Sequence, residues 1–169
     1  AGIAAVHYQH DAGRYGVFSL DASVTQIFRH DYLRFVGDIP QDWLNDPNYS
    51  SDPKRKADLS LNWAYRDISA TLYANWQDKT PNYAAITSNL RFDAPDAGWV
   101  SSHTRLNLNL SWKFLPQHKL SLSVNNLLNT MPPRDPTVPG WFGAPYNSYN
   151  YTPYGRSILL EWRYTGKQH

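Results

Sequence analysis

Histidines and aspartates near the N-terminus are the first residues whose types could do chemistry. His7, His10, Asp11, His30 and Asp31 are all of metal-ligand type. A metal centre needs its ligands to converge at short, fixed distances. His7 and His10 are three positions apart, which on a strand sends them to opposite faces, so no metal site is expected. Asn45, Asp46, Asn48 and Asp52 have the composition of a calcium loop without its spacing. There is no Gly-x-Ser-x-Gly nucleophile motif, no phosphate loop and no Gly-rich dinucleotide pattern. Cysteine is absent, which removes disulfides and thiolate sites. The expectation is a protein that is not an enzyme and carries no cofactor. Ligand contact is the chemistry that remains. The stretch 130–153 places Arg134, Trp141, Phe142, Tyr146, Tyr149 and Tyr151 among Pro and Gly. Rigid aromatics stack on a bulky ligand, and Arg reads a carboxylate or phosphate. Arg134, Trp141, Tyr146 and Tyr149 are therefore the candidate ligand-binding residues. The same rings would also serve to pack the loop onto its neighbours, and both readings stay open. Trp43 and Trp99 have the same ambiguity.

The elements that must position these residues are strands. Period-two alternation of apolar and polar residues recurs along the chain, and it predicts about seven of them. The weak first strand, 3–10, puts Val6 and Tyr8 on one face. A long extended segment, 15–35, sets Phe18, Leu20, Ala22, Val24 and Phe28 against Ser19, Asp21, Ser23, Thr25 and Arg29. Segments 57–66 and 68–79 alternate cleanly, with Leu59, Leu61, Trp63 and Tyr65, then Ile68, Ala70, Leu72, Ala74 and Trp76 on the apolar side. The last third repeats the pattern with Leu106, Leu108, Leu110, Trp112 and Phe114, then Leu120, Leu122 and Val124, then the segment 156–164. No helical stretch of useful length is found.

Composition narrows what such strands build. Apolar residues make up 41% of the 169, charged residues 18% and aromatics 15%, with seven Trp and twelve Tyr. A net charge of +2 is too small to argue for nucleic acid. No run of about 18 apolar residues exists, so no helix is expected to span a membrane. The mean hydropathy of −0.59 does not oppose a strand-built span, because one face of each strand is polar. The start at Ala1-Gly2-Ile3 is expected of a processed chain or a piece of one.

Two patterns favour a membrane barrel over a soluble sandwich. Short turns near Ala12, Asp67 and Gln117 alternate with long loops near Trp43, Arg91 and Trp141. That alternation is typical of outer-membrane barrels, with short turns periplasmic and long loops outside. Moreover, three alternate strands end in two aromatics on the apolar face: Trp63 and Tyr65, Trp112 and Phe114, Trp162 and Tyr164. These six are expected at the membrane interface, where amphipathic rings sit at headgroup depth. Asn48-Tyr49-Ser50 matches a glycosylation sequon and in a bacterial barrel is a chance match. Seven strands would leave two unpaired edges that lipid does not tolerate, so the chain is expected to be part of a larger barrel.

A resemblance sharpens this. Val124-Asn125-Asn126-Leu127-Leu128-Asn129 resembles the V-N-N-L-F-D/N motif on the next-to-last strand of TonB-dependent outer-membrane receptors. Met131-Pro132-Pro133-Arg134-Asp135-Pro136, Tyr151-Thr152-Pro153-Tyr154-Gly155-Arg156 and Trp76-Gln77-Asp78-Lys79-Thr80-Pro81-Asn82-Tyr83 resemble the same family. The resemblance implies an all-β, antiparallel up-and-down transmembrane barrel of twenty-two strands. Residues 1–169 would then be its C-terminal seven strands, with no plug domain in this chain. It implies energy-coupled uptake of a bulky nutrient: a ferric siderophore, haem, cobalamin or an oligosaccharide. The implied partners are outer-membrane lipid, the rest of the barrel, a plug domain, TonB through that plug, and a small-molecule ligand. Loops 36–53, 80–102 and 130–153 would lie outside the bacterial outer membrane. A passive porin-like channel and a soluble carbohydrate-binding β-sandwich are the alternatives.

Overall fold

The computed structural model describes residues 1–45, 52–82, 98–135, 145–148 and 150–166. In chain order the strands are β1 (Gly2–Asp11), β2 (Val17–Gln26), β3 (Asp31–Tyr32), β4 (Gln41–Asp42), β5 (Arg55–Tyr65), β6 (Ile68–Gln77), β7 (Thr80–Pro81), β8 (Trp99–Val100), β9 (His103–Leu115), β10 (His118–Asn125) and β11 (Ser157–Tyr164). Seven of them form one antiparallel sheet in the order β1-β2-β5-β6-β9-β10-β11. The pairs β3–β4 and β7–β8 are two-residue ribbons within the long connections. Every long strand pairs with the next long strand in the chain, so the architecture is an up-and-down meander. It is all-β, as the alternation predicts.

The register lines up the apolar face. Tyr8, Leu20, Leu61, Leu72, Leu108, Val124 and Ile158 form one row across all seven strands. A second row, nearer the short turns, holds Tyr65, Ile68, Trp112, Leu120 and Trp162. Trp63 stacks on Tyr65 with ring centroids 6.4 Å apart, and Trp112 lies 5.5 Å from Phe114. His118 joins this rim, with its ring 5.6 Å from Trp162 and 5.0 Å from Tyr164. All six aromatics singled out from the sequence therefore stand on the apolar face at the short-turn end.

Among the described residues nothing covers that face. Leu61 is 42% exposed, Trp112 51% and Trp162 63%. A sandwich would bury this face under a second sheet. The few buried apolar residues, such as Leu44, Val100 and Tyr151, lie in the long connections, with Val124 at the sheet edge of one.

Short turns join the strands at one end. The first is a 3₁₀ turn, Gly13–Tyr15, closed by Gly16 N–H donating to Gly13 O at 3.0 Å. Gly16 has φ +91°, and a Cβ there would meet Ala64 O at 2.4 Å, so only glycine fits. Trp63 Nε1 donates to Tyr15 O at 2.8 Å and holds this turn against β5.

The sheet corrects one expectation. The extended segment 15–35 is not one strand: β2 ends at Gln26, whose partner Arg55 begins β5. Ile27 N–H donates to Lys54 O at 2.8 Å as the last rung. Beyond it the next strand, β3, pairs with β4 inside the long connection and not with the large sheet, so among the described residues the alternation that runs on to Phe28 has no ladder to join. The two edges of the sheet are β1 and β11, and both stay unpaired among the described residues.

Candidate functional site

At the long-connection end, the sequence Asn125-Asn126-Leu127-Leu128-Asn129-Thr130 turns the chain away from β10. Asn126 and Asn129 have φ of +53° and +54°, a region that Asn tolerates better than most side chains. The Asn126 side chain is fully buried and fully used. Its Oδ1 accepts from Thr130 N at 2.9 Å and Thr130 Oγ1 at 3.0 Å. Its Nδ2 donates to Thr130 O at 2.9 Å and Tyr154 O at 3.4 Å. Its own N–H donates to Asn107 Oδ1 at 2.9 Å on β9. Asn129 Oδ1 accepts from Arg156 N at 2.8 Å, just ahead of β11. The two asparagines thus clasp both ends of the 126–156 connection.

Within that connection the aromatics divide. Tyr151 is 6% exposed and sits with its edge against the His103 ring at 5.5 Å. Burial pushes its phenol up, against a smaller opposing effect of Thr80. Gln77 Nε2 donates to Asn150 O at 3.4 Å, and Thr80, Asn82 and Val100 are buried nearby in sequence to β7 and β8. Tyr151 is therefore a packing residue. Arg134 is exposed and Tyr146 half-buried. Asp135 N–H donates to Pro145 O at 2.7 Å, which brings the stretches carrying Arg134 and Tyr146 together. Trp141, Phe142 and Tyr149 lie outside the described residues. Trp99 is half exposed with Lys79 Nζ 4.4 Å above its ring, a cation–π pair facing solvent.

The 27–54 connection has its own small core. Trp43 packs 4.8 Å from Tyr32 and 5.2 Å from His30, and Trp43 N–H donates to His30 O at 2.9 Å. His30 Nδ1 lies 2.6 Å from Asp52 Oδ2. Asp42 accepts from Asn45 Nδ2 at 2.5 Å and from Leu44 N at 3.0 Å. The Asn45 hydrogen bond holds the Asp42 carboxyl below the usual carboxylate range, with a smaller pull from the Leu44 N–H. A lowered folded pKa means the stabilisation is present above the ordinary Asp range and is lost as pH falls through the folded value. Hydrogen exchange on the full-length protein should therefore show residues 41–45 protected at neutral pH and released in acid below that range. Asp42→Asn should exchange faster at neutral pH and match the wild type in acid.

The polar face of the sheet carries a site that the sequence reading passed over. Across β1, β2, β5 and β6 the register aligns His7, Asp21, Ser60 and Tyr73. His7 Nδ1 is 2.5 Å from Asp21 Oδ1. Tyr73 OH donates to Asp58 Oδ1, and Asn75 Nδ2 donates to the same oxygen at 2.8 Å. Thr71 Oγ1 donates to Asn62 Oδ1 at 2.8 Å, and Ser69 and Ser111 share a 2.8 Å bond. A basin of about 390 Å³ opens here, with His7, Asp21, Asp58, Ser60 and Tyr73 in its lining. These groups offer hydrogen bonds to a polar surface or a hydrated solute. No activated nucleophile stands among them.

The residues weighed as metal ligands are dispersed. His7 faces the basin, while His10 is on the opposite face, pairing in register with Phe18 and stacking on Tyr8 at 6.4 Å. His30 and Asp31 belong to the far connection, where Asp31 pairs with Arg29. Among the described residues no three potential ligands gather. Asp46 and Asn48 of the calcium-like stretch, and the 48–50 sequon, lie outside the described residues.

No family model and no curated protein matches the sequence. Solved structures do match in shape. A mutant of the ferric enterobactin receptor PfeA from Pseudomonas aeruginosa superposes with a TM-score of 0.56 at 15% identity, covering 95% of this chain and 21% of that one. The fold is that of a segment of antiparallel β-barrel wall. A second PfeA mutant, in complex with enterobactin, gives a TM-score of 0.55 at 15% identity over 94% of this chain. The siderophore receptor PiuA from Acinetobacter baumannii gives 0.51 at 18% identity over 95%. The chain spans 21% of the length of each of these structures.

Proposed function

We propose that this chain is a wall segment of an outer-membrane, TonB-dependent receptor that takes up a bulky ligand, with a ferric siderophore as the leading class. One observation carries the reading: a single meander whose bare apolar face ends in aromatics at the short-turn end, on the fold of siderophore-receptor barrels. Five of its seven long strands have ten or more residues, the length a tilted strand needs to cross a bilayer. In this reading the apolar face meets lipid and the short turns face the periplasm. The polar face meets the lumen, where a plug domain supplied by the rest of the protein sits and connects to TonB. In the same reading the long connections face outside, and Arg134 and Tyr146 are the residues assigned to ligand contact there, supported by the exposure of Arg134 and by the Asp135–Pro145 hydrogen bond that joins their stretches. The chain does no covalent chemistry.

The test uses the full-length protein in its bacterium. Uptake of a ferric siderophore should require the protein and should stop when the inner-membrane proton gradient is dissipated. Steady conductance in planar bilayers would replace the receptor with a passive channel, and extraction into buffer without detergent would end the membrane reading.

A further inference from the structure

At the short-turn end two guanidiniums stand over tyrosine rings. Arg14 Cζ lies 4.8 Å from the Tyr15 centroid, and Arg66 Cζ lies 5.0 Å from that of Tyr65. Arg14 Nη2 also donates to Tyr15 OH at 2.6 Å. The two pairs sit on adjoining turns. Trp63 Nε1 bonds Tyr15 O at 2.8 Å, and a Cβ on Gly16 would come within 2.9 Å of Tyr65 Cβ. Both arginines are exposed, and among the described residues neither forms an ion pair with a carboxylate. Asp11 is the acid nearest in sequence to Arg14, and its Oδ1 is engaged by Gly13 N at 2.8 Å. Stacking holds a guanidinium in place without neutralising it, and its fork matches phosphate oxygens.

Directly below these charges lie Trp63 and Tyr65, and further along the same strand Leu61 and Leu59 on the same face. Charge, amphipathic ring and aliphatic surface thus follow one another along β5. That is the profile of a phospholipid: phosphate, glycerol, acyl chain. We propose that Arg14 and Arg66 together bind the headgroup of an anionic phospholipid of the periplasmic leaflet, whose acyl chain lies along Leu61 and Leu59. The proposal rests on the membrane reading above.

Native mass spectrometry of the full-length protein in detergent tests it, with phosphatidylglycerol and phosphatidylethanolamine offered in equal amounts. The wild type should retain phosphatidylglycerol several-fold over phosphatidylethanolamine. The double variant R14Q/R66Q should lose that preference, while Arg29→Gln, at the opposite end, should keep it. No preference in the wild type would overturn the proposal, a result independent of how the variants fold. So would a preference that survives in R14Q/R66Q, or one that R29Q abolishes equally. Displacement of the lipid by millimolar inorganic phosphate would assign the arginines to a free anion instead. Solubility without detergent would remove the membrane reading itself and is scored separately.

Discussion

Asn126→Ala should cost the full-length protein about 3 kcal/mol, since each buried polar group left without its partner costs about 1–3 kcal/mol. Alanine removes the acceptor of Thr130 N and the donor to Thr130 O and Tyr154 O, all at a residue that is 0% exposed. Thr130 Oγ1 is spared, because its single proton has Thr104 O as an alternative acceptor at 3.0 Å. Alanine must further adopt φ near +53° without a side chain to compensate for it. The measurement is a urea titration followed by heat-modifiable gel mobility, together with hydrogen exchange over residues 127–135 and 150–156. Exchange should rise there more than in β1 or β2. Asn126→Asp keeps the acceptor and loses the donor, so it should fall between wild type and alanine. An unchanged midpoint for Asn126→Ala would mean that the clasp does not hold the connection.

Leu61→Arg should be nearly as costly, and for a different reason. Leu61 lies in the mid-sheet apolar row, and a cation at the bilayer midplane of a barrel costs roughly 2–4 kcal/mol. Asn109→Arg places the same charge on the polar face, where Asn109 pairs in register with Thr71 and Ser123, and should cost less than about 1 kcal/mol. The contrast between the two, read as the difference in urea midpoint in detergent or in lipid bilayers, is the informative quantity. If Asn109→Arg proved the more damaging, the polar face would be the packed one and lipid would have to lie elsewhere.

The fold was largely legible because period two survives any uncertainty about neighbours. Leu59, Leu61, Trp63 and Tyr65 declare one face of β5 whatever pairs with it, and the aromatic pairs mark one end of three alternate strands. Strand length was less legible. The pattern through Phe28 carries no mark at Gln26, since β2 stops where β5 starts. The site on the polar face was hidden for the same reason. His7 meets Asp21, and Tyr73 meets Asp58, only through cross-strand register, and a slip of one residue would turn each side chain to the other face. Asp21 at period-two spacing from Ser19 and Ser23, and Asp58 from Ser60 and Asn62, were the available signals. The Val124–Asn129 motif was readable as a family resemblance, but its work as a clasp depends on two positive φ values that composition does not show. For the loop aromatics, composition left packing and recognition open, and burial assigns Tyr151 to packing.

The odd number of strands has a directional consequence. With seven strands alternating in direction, β1 and β11 run the same way. A second copy placed head to tail would join them as a parallel seam. A copy joined β11 to β11 in antiparallel fashion would have to be turned end for end, with its short turns on the opposite side of the membrane. Chains inserted in one direction therefore cannot close an all-antiparallel wall from this segment alone. The complement must begin and end with strands running against β1 and β11, so it must itself contain an odd number of strands. Within an all-antiparallel wall it is parity, rather than side-chain chemistry, that excludes a ring made of this seven-stranded segment alone.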